Sequence, residues 1–506
     1  MTRVAVAIAV LLLLAACSSD KSNGASSSSS PGVRTGAYRP VFAKGPCTDE
    51  VPQDPRVECG TLTVPEDRSK ADGRTVVLPV AIVHTADPDP APDPVVYFSG
   101  GPGFPGLTDA AGFLRRGQTG NRDVILFDQR GTGRSQPSLD CPEVHEATAT
   151  ILGAADSFEA ESKLLSDSLF KCRDRLRDAG VDVNQYDTEA VADDVADLRT
   201  AMGIPSWNLF GVSYGTTVAL ATMRQHPEGI RSAVIDSVVP PDVGVGAPET
   251  VAAYDRVTRV LFDGCANDPA CHAAFPNLEA DTADVIAAMN ATPYHGTVTN
   301  PTLQRPTPIT ITGADAAAGL FNALYDSDVI PQLPNLIEQL KSGTIGPIID
   351  QLTIQAFEQI NGTAEAQTAA VDCRDRGSFV HPEDDQRALR EHPNDSTLLL
   401  FTSISCEKFG VAPAPKEFNE PVRSDIPTLV LADEYDPVTP PEQSKHAAET
   451  LSHATYVEFP GLGHGAVFSR RQCPVGLFKS YLADPTAPLD ARCVSTMSAP
   501  KWAVPG

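Results

Sequence analysis

The chain has 506 residues, of which 42% are hydrophobic and 6% aromatic. This is globular composition, with length enough for a large core and a sizeable insertion, and it excludes a disordered or fibrous chain. The formal net charge of −26 repels phosphate backbones and argues against nucleic acid as a partner.

The N-terminus opens with a positively charged Met1-Thr2-Arg3, followed by an unbroken apolar run from Val4 to Leu14. The run is too short to span a bilayer and has the form of a signal-peptide core. It ends in Leu14-Ala15-Ala16-Cys17, small residues before a cysteine, as in a bacterial lipobox. Residues 1–16 are therefore expected to be a lipoprotein signal peptide, with Cys17 lipidated and the membrane reached through that lipid. The serine-rich stretch that follows reads as a flexible tether over residues 17–37.

From 38 to 244, apolar strands alternate with helical segments. Thr75 to Val83, Pro94 to Phe98, Asp123 to Phe127, Trp207 to Gly211 and Ser232 to Val239 read as strands. Glu189 to Met202 and Thr216 to Gln225 carry apolar residues at helical spacing. This rhythm predicts an α/β fold with a mostly parallel sheet covered by helices on both faces. From 245 to 415 the rhythm breaks into mainly helical sequence with irregular loops, read as a cap inserted over the sheet. Strands resume at Thr428 to Leu431 and Thr455 to Phe459, so 416–506 is read as the second segment of the core. Between these strands, Thr439-Pro440-Pro441-Glu442 has the form of a capping box that opens a helix.

Gly211-Val212-Ser213-Tyr214-Gly215 is a G-x-S-x-G motif. Alone it is weak, but here it lies between a strand and a helix, as a nucleophile elbow requires. A serine nucleophile needs a base, and the base needs a third group to orient it. Among ten histidines, His464 alone follows a late strand directly, in the glycine-flanked turn Gly461-Leu462-Gly463-His464-Gly465. The loop after Thr428 to Leu431 carries Asp433, Glu434 and Asp436. Asp436, stiffened by Pro437, is the expected orienting acid, and Asp433 and Glu434 are expected to be solvated. The strand ending at Phe98 runs into Ser99-Gly100-Gly101-Pro102-Gly103. This loop can offer the Gly101 N–H to a reacting carbonyl oxygen, with the Tyr214 N–H as second donor. It lacks the Lys-Ser/Thr ending of a phosphate-binding P-loop.

There are eleven cysteines. Setting Cys17 aside leaves Cys47, Cys59, Cys141, Cys172, Cys265, Cys271, Cys373, Cys406, Cys473 and Cys493, an even set that suggests disulfides in an exported chain. Sequence does not determine their connectivity, and pairing of successive neighbours is the simplest arrangement. Cys265, Cys271 and His272 match no common zinc spacing, so no metal is expected.

Three motifs, in order, resemble the proline iminopeptidase and tripeptidyl aminopeptidase group of α/β-hydrolases. They are Gly100-Gly101-Pro102-Gly103, Asp128-Gln129-Arg130-Gly131-Thr132-Gly133-Arg134-Ser135, and the Ser213 elbow. Asp436-Pro437-Val438-Thr439-Pro440 and the cysteine-containing C-terminal part look like the tripeptidyl-aminopeptidase branch, which includes exported actinobacterial enzymes and mycobacterial envelope lipoproteins. Many relatives have His where this chain has Ser99, a change that spares the backbone donor. The Asp128–Ser135 stretch is expected to be structural, with Arg130 paired internally, a direct substrate role being the alternative. The resemblance implies the α/β-hydrolase fold, no cofactor, and cleavage near a free peptide N-terminus. The ammonium there needs a carboxylate, for which Asp372 and Asp375 are candidates; a solvated surface pair is the competing reading. A carboxylesterase or lipase using the same triad remains open, as does a non-catalytic envelope-binding protein. Serine at the elbow excludes the dehalogenase and epoxide hydrolase readings, which need aspartate there.

Overall fold

A computed structural model describes residues 38–505 apart from 71, 245, 344–345, 361, 380 and 401–404. The signal peptide, the tether and Cys17 lie outside the described residues. Nine strands form one sheet in the order β1-β2-β3-β5-β4-β6-β7-β10-β11. They are β1 Val41–Lys44, β2 Val57–Pro65, β3 Thr75–Val83, β4 Val95–Phe98, β5 Val124–Phe127, β6 Trp207–Val212, β7 Ile230–Asp236, β10 Thr428–Asp433 and β11 Ala454–Phe459. From β5 through β11 every pairing is parallel, while β1, β2 and β3 add an antiparallel margin.

Alternate side chains of the parallel strands enter different cores. Val96, Phe98, Leu209 and Val430 pack in one, whereas Val95, Tyr97, Phe210, Leu429 and Leu431 pack in the other. Burial on both faces explains why these strands read as continuous apolar runs. The sheet joins two sequence segments, because β7 and β10 pair directly across nearly two hundred intervening residues.

The intervening segment is helical, with the Ala247–Asn267 and Gly313–Ala323 helices the main contributors to a third core. The Gly313–Ala323 helix begins at a Thr312–Asp315 capping box. The segment also contains an unexpected antiparallel hairpin, β8 Tyr294–Asn300 and β9 Arg305–Ile311. Its strands are polar, with prolines at 306 and 308, and such strands give little periodic signal.

Two local expectations are corrected. The strand read as Ser232 to Val239 ends at Asp236, because Ser237 turns the chain at φ +58°. The capping box at Thr439 does not form: the helix is Pro441–Ala448 with no side-chain cap. The Thr439 hydroxyl instead donates to Asp436 Oδ2 at 2.6 Å. The cysteines pair as successive neighbours: Cys47–Cys59, Cys141–Cys172, Cys265–Cys271, Cys373–Cys406 and Cys473–Cys493.

Candidate active site

Register places the candidate groups along one sheet edge. Phe98 pairs with Gly211, Val212 with Asp236, Leu431 with Asp236, and Asp433 with Phe459. The loops leaving β4, β6, β7, β10 and β11 therefore emerge together at the carboxyl ends of the strands, where open α/β sheets hold their ligands.

Ser213 sits between β6 and the Tyr214–Gln225 helix at φ +57°, ψ −130°. Such a conformation costs about 1–3 kcal/mol for a non-glycine residue and persists only where the surroundings enforce it. Here a Cβ on Gly211 would lie 2.3 Å from the Gly215 carbonyl oxygen, and one on Gly215 would lie 2.1 Å from that of Phe98. Only glycine fits at either position, so the motif's spacing is a steric requirement of the turn. The Ser213 N–H donates to the Asp236 carbonyl at 3.0 Å. The hydroxyl of Thr216 donates to the Ser213 carbonyl at 2.6 Å.

The glycine loop after β4 lies directly against the serine. A Cβ on Gly100 would approach Ser213 Cβ at 3.2 Å and Oγ at 3.6 Å. Gly101, the expected oxyanion donor, has φ +111°. Ser99 closes the loop by donating to the Phe104 carbonyl at 2.9 Å. From behind, the Thr368 hydroxyl donates to the Pro102 carbonyl at 2.9 Å, and the Ala364 N–H to that of Gly103 at 3.0 Å.

His464 Nδ1 is 2.8 Å from Asp436 Oδ2. Asp436 is fully buried, and its Oδ1 accepts the N–H groups of Val438 (3.0 Å) and Thr439 (2.8 Å). Burial opposes ionisation, but the His464 imidazole and the Thr439 donors outweigh it and hold this carboxyl below its ordinary value. The carboxylate is thus placed to accept a hydrogen bond from Nδ1–H, the tautomer that turns an unprotonated Nε2 away from Asp436. Tyr325 from the inserted segment packs its ring 5.0 Å from that of His464, and its carbonyl accepts the His464 N–H at 3.0 Å.

Sequence reading missed what holds the histidine turn. The N–H of Ala466 donates to Asp236 Oδ1 (3.2 Å) and Asp433 Oδ2 (3.1 Å). The N–H of Val467 donates to Asp236 Oδ2 (2.9 Å), and that of Gly465 to the Ser237 hydroxyl (2.9 Å). Asp433 is therefore not solvated, as expected, but wholly buried. Glu434 is partly buried and accepts the Gly461 N–H at 2.7 Å. Burial raises the proton affinity of both Asp236 and Asp433, aided at each by the nearby Asp436 and at Asp433 also by Asp236. A charged residue directly after the apolar run Ala233-Val234-Ile235 of β7 was the available signal.

The remaining sequence candidates are buried. Arg130 is fully buried in a bidentate pair with Asp194, both contacts 2.7 Å. Asp372 and Asp375 are both buried, so the solvated-pair reading is corrected. Neither Asp375 oxygen has a hydrogen-bond partner, and burial raises its carboxyl well above the ordinary range. An apolar cavity of about 230 Å³ lies between the inserted segment and the helices Pro142–Gly153 and Phe158–Asp178, with Glu161 and Asp315 among its walls; neither Ser213 nor His464 lines it.

A strained serine at a strand–helix elbow, at one sheet edge with a buried Asp–His pair, defines a serine hydrolase. Residues 93–284 match the family model described as alpha/beta hydrolase fold, and residues 395–493 match that of TAP-like protein. The chain has the α/β-hydrolase fold and is similar to TAP-like protein over its C-terminal part. It is 25% identical to serine protease Hip1 of Mycobacterium tuberculosis over 472 residues, 86% of this chain and 87% of that protein. It is 24% identical to tripeptidyl aminopeptidase of Streptomyces lividans over 410 residues, 76% of this chain and 74% of that one. Carboxylesterase B of M. tuberculosis is 24% identical over 469 residues, 85% of each chain.

Proposed function

We propose that this hydrolase is a peptidase that releases short peptides from a free N-terminus through an acyl-enzyme on Ser213. The observation that carries the mechanism is the 2.8 Å contact of His464 Nδ1 with buried Asp436, at the edge where Ser213 is held. In this reading Ser213 Oγ attacks the scissile carbonyl carbon as its proton passes to His464 Nε2. The N–H groups of Gly101 and Tyr214 receive the oxyanion. Collapse breaks the C–N bond, and His464 returns the proton to the leaving amine. Water then repeats the sequence on the ester, regenerating Ser213. The inserted segment 245–415 acts as the cap that shapes the substrate site. Within it Asp375, buried without a hydrogen-bond partner, is the stronger candidate for the substrate ammonium. Asp372 already lies 3.9 Å from Arg376 Nε.

Peptide cleavage is favoured by the relatives named as a serine protease and a tripeptidyl aminopeptidase; the carboxylesterase relative supports ester hydrolysis as the second reading. A matched set decides between them: a free-amine tripeptide amide, its N-acetylated twin and a short-chain acyl ester. Loss of peptide cleavage on acetylation is the expected result. Turnover of the ester alone, or indifference to acetylation, would replace the aminopeptidase reading.

We also infer export and anchoring through a lipid on Cys17. Support comes from the signal-like residues 1–16 and from five disulfides, which persist in oxidising compartments. Among the described residues no helix is long and apolar enough to cross a membrane. Cys17→Ser should move the protein from the membrane fraction to the soluble one; unchanged fractionation would contradict the anchor.

A further inference from the structure

Away from the elbow, Asp140, His145 and Glu365 bring three ligand atoms together. Asp140 directly precedes the Cys141–Cys172 disulfide, His145 lies on the Pro142–Gly153 helix, and Glu365 opens the Glu365–Val371 helix. His145 is 5% exposed and Glu365 3%. Glu365 Oε2 accepts the Cys141 N–H at 2.9 Å. The other oxygen, Oε1, is 3.0 Å from His145 Nε2, and Asp140 Oδ1 is 3.3 Å from the same nitrogen. All three atoms lie within 4.8 Å of one another. Yet neither Nε2 nor Oε1, both shielded from solvent, makes a hydrogen bond of acceptable angle. Two unsatisfied atoms on side chains this buried call for an occupant.

We propose that Asp140, His145 and Glu365 form a site for one divalent transition-metal ion of the zinc class. Zinc bonds to imidazole nitrogen and carboxylate oxygen of about 2.0–2.2 Å set neighbouring ligands about 3.3–3.5 Å apart in a tetrahedron. The observed separations are close to such edges. Charge points the same way. Two carboxylates and a neutral imidazole sum to −2, which one divalent cation cancels. The imidazole favours zinc-like ions over calcium or magnesium, which prefer all-oxygen ligands. The Asp140 side chain is 43% exposed, leaving a route in and room for a water as fourth ligand. Arg175, which donates to the Asp140 carbonyl, is neutralised by Glu143. Cys141 and Cys172 are joined to each other and cannot be ligands.

The ion would be structural. Glu365 begins the stretch whose neighbours Ala364 and Thr368 hold the Gly103 and Pro102 carbonyls. Clamping it to Asp140 and His145 braces the glycine loop from behind.

The test is calorimetric titration of EDTA-stripped mature protein with Zn²⁺, with Ca²⁺ as control. One Zn²⁺ per chain and a higher thermal midpoint are expected. His145→Gln and Glu365→Gln should each weaken binding by at least about tenfold. Asp140→Asn changes a half-exposed side chain and keeps the test open if the buried variants do not fold. Absence of stoichiometric Zn²⁺ binding, or equal binding by wild type and every folded variant, overturns the proposal.

Discussion

Ser213→Ala is expected to lower kcat on peptide and ester substrates alike by about 10⁴-fold or more, while the thermal midpoint stays near that of the parent. In the proposed mechanism covalent catalysis disappears with the hydroxyl that forms the acyl-enzyme. Folding is spared because alanine removes one oxygen and leaves the backbone contacts of the elbow in place. The Ser213 N–H still reaches the Asp236 carbonyl, and the Ser213 carbonyl still accepts the Thr216 hydroxyl. The strain at φ +57° belongs to the backbone, and alanine inherits it. Retained turnover would remove Ser213 as nucleophile. Loss of turnover together with unfolding would show instead that the side chain supports the turn, a role for which no Ser213 side-chain hydrogen bond is seen at the helix start.

The largest stability effect is expected at Arg130. Its guanidinium is fully buried against Asp194, and its third nitrogen donates to the Glu66 carbonyl at 3.1 Å and that of Gln185 at 2.5 Å. Arg68 joins the network through Asp194 (2.5 Å) and Asp197 (2.8 Å). Arg130→Met removes one charge from a buried pair and strands two carbonyls, and breaking such a pair costs about 3–5 kcal/mol. Urea unfolding reads the loss. Arg130→Lys should recover little of it, since an ammonium cannot span both carboxylate oxygens. The same motif supports the glycine loop: Gln129 lies 3.4 Å from the Ser99 carbonyl and hydroxyl oxygens. Activity should therefore fall modestly in whatever fraction remains folded. An unchanged unfolding midpoint with a raised KM would restore the substrate-binding alternative.

Much of this protein was legible in its sequence because the deciding forces are local. The parallel strands are buried on both faces, so TVVLPVAIV and TLVL read as strands without any partner in view. Gly211 and Gly215 flank Ser213 because no Cβ fits there, a constraint written into five consecutive residues. His464 and Asp436 follow late strands in chain order, and that order sufficed to single them out. What only the tertiary structure decided are contacts between segments far apart in sequence. The carboxylates of Asp236 and Asp433 hold the turn at 465–467 from opposite sides of a strand pair, β7 with β10, that closes over a long insertion. Asp433 read as solvated because a charge at a strand end usually is; its burial follows from the neighbouring strand and the histidine turn covering it. Thr439 read as a helix cap from its local pattern, yet a carboxylate held in place by His464 competed for its hydroxyl and won. Local sterics and periodicity act within a few residues and are therefore visible in the chain itself. Burial of charge depends on what the fold lays over it, and that is settled only when distant strands meet.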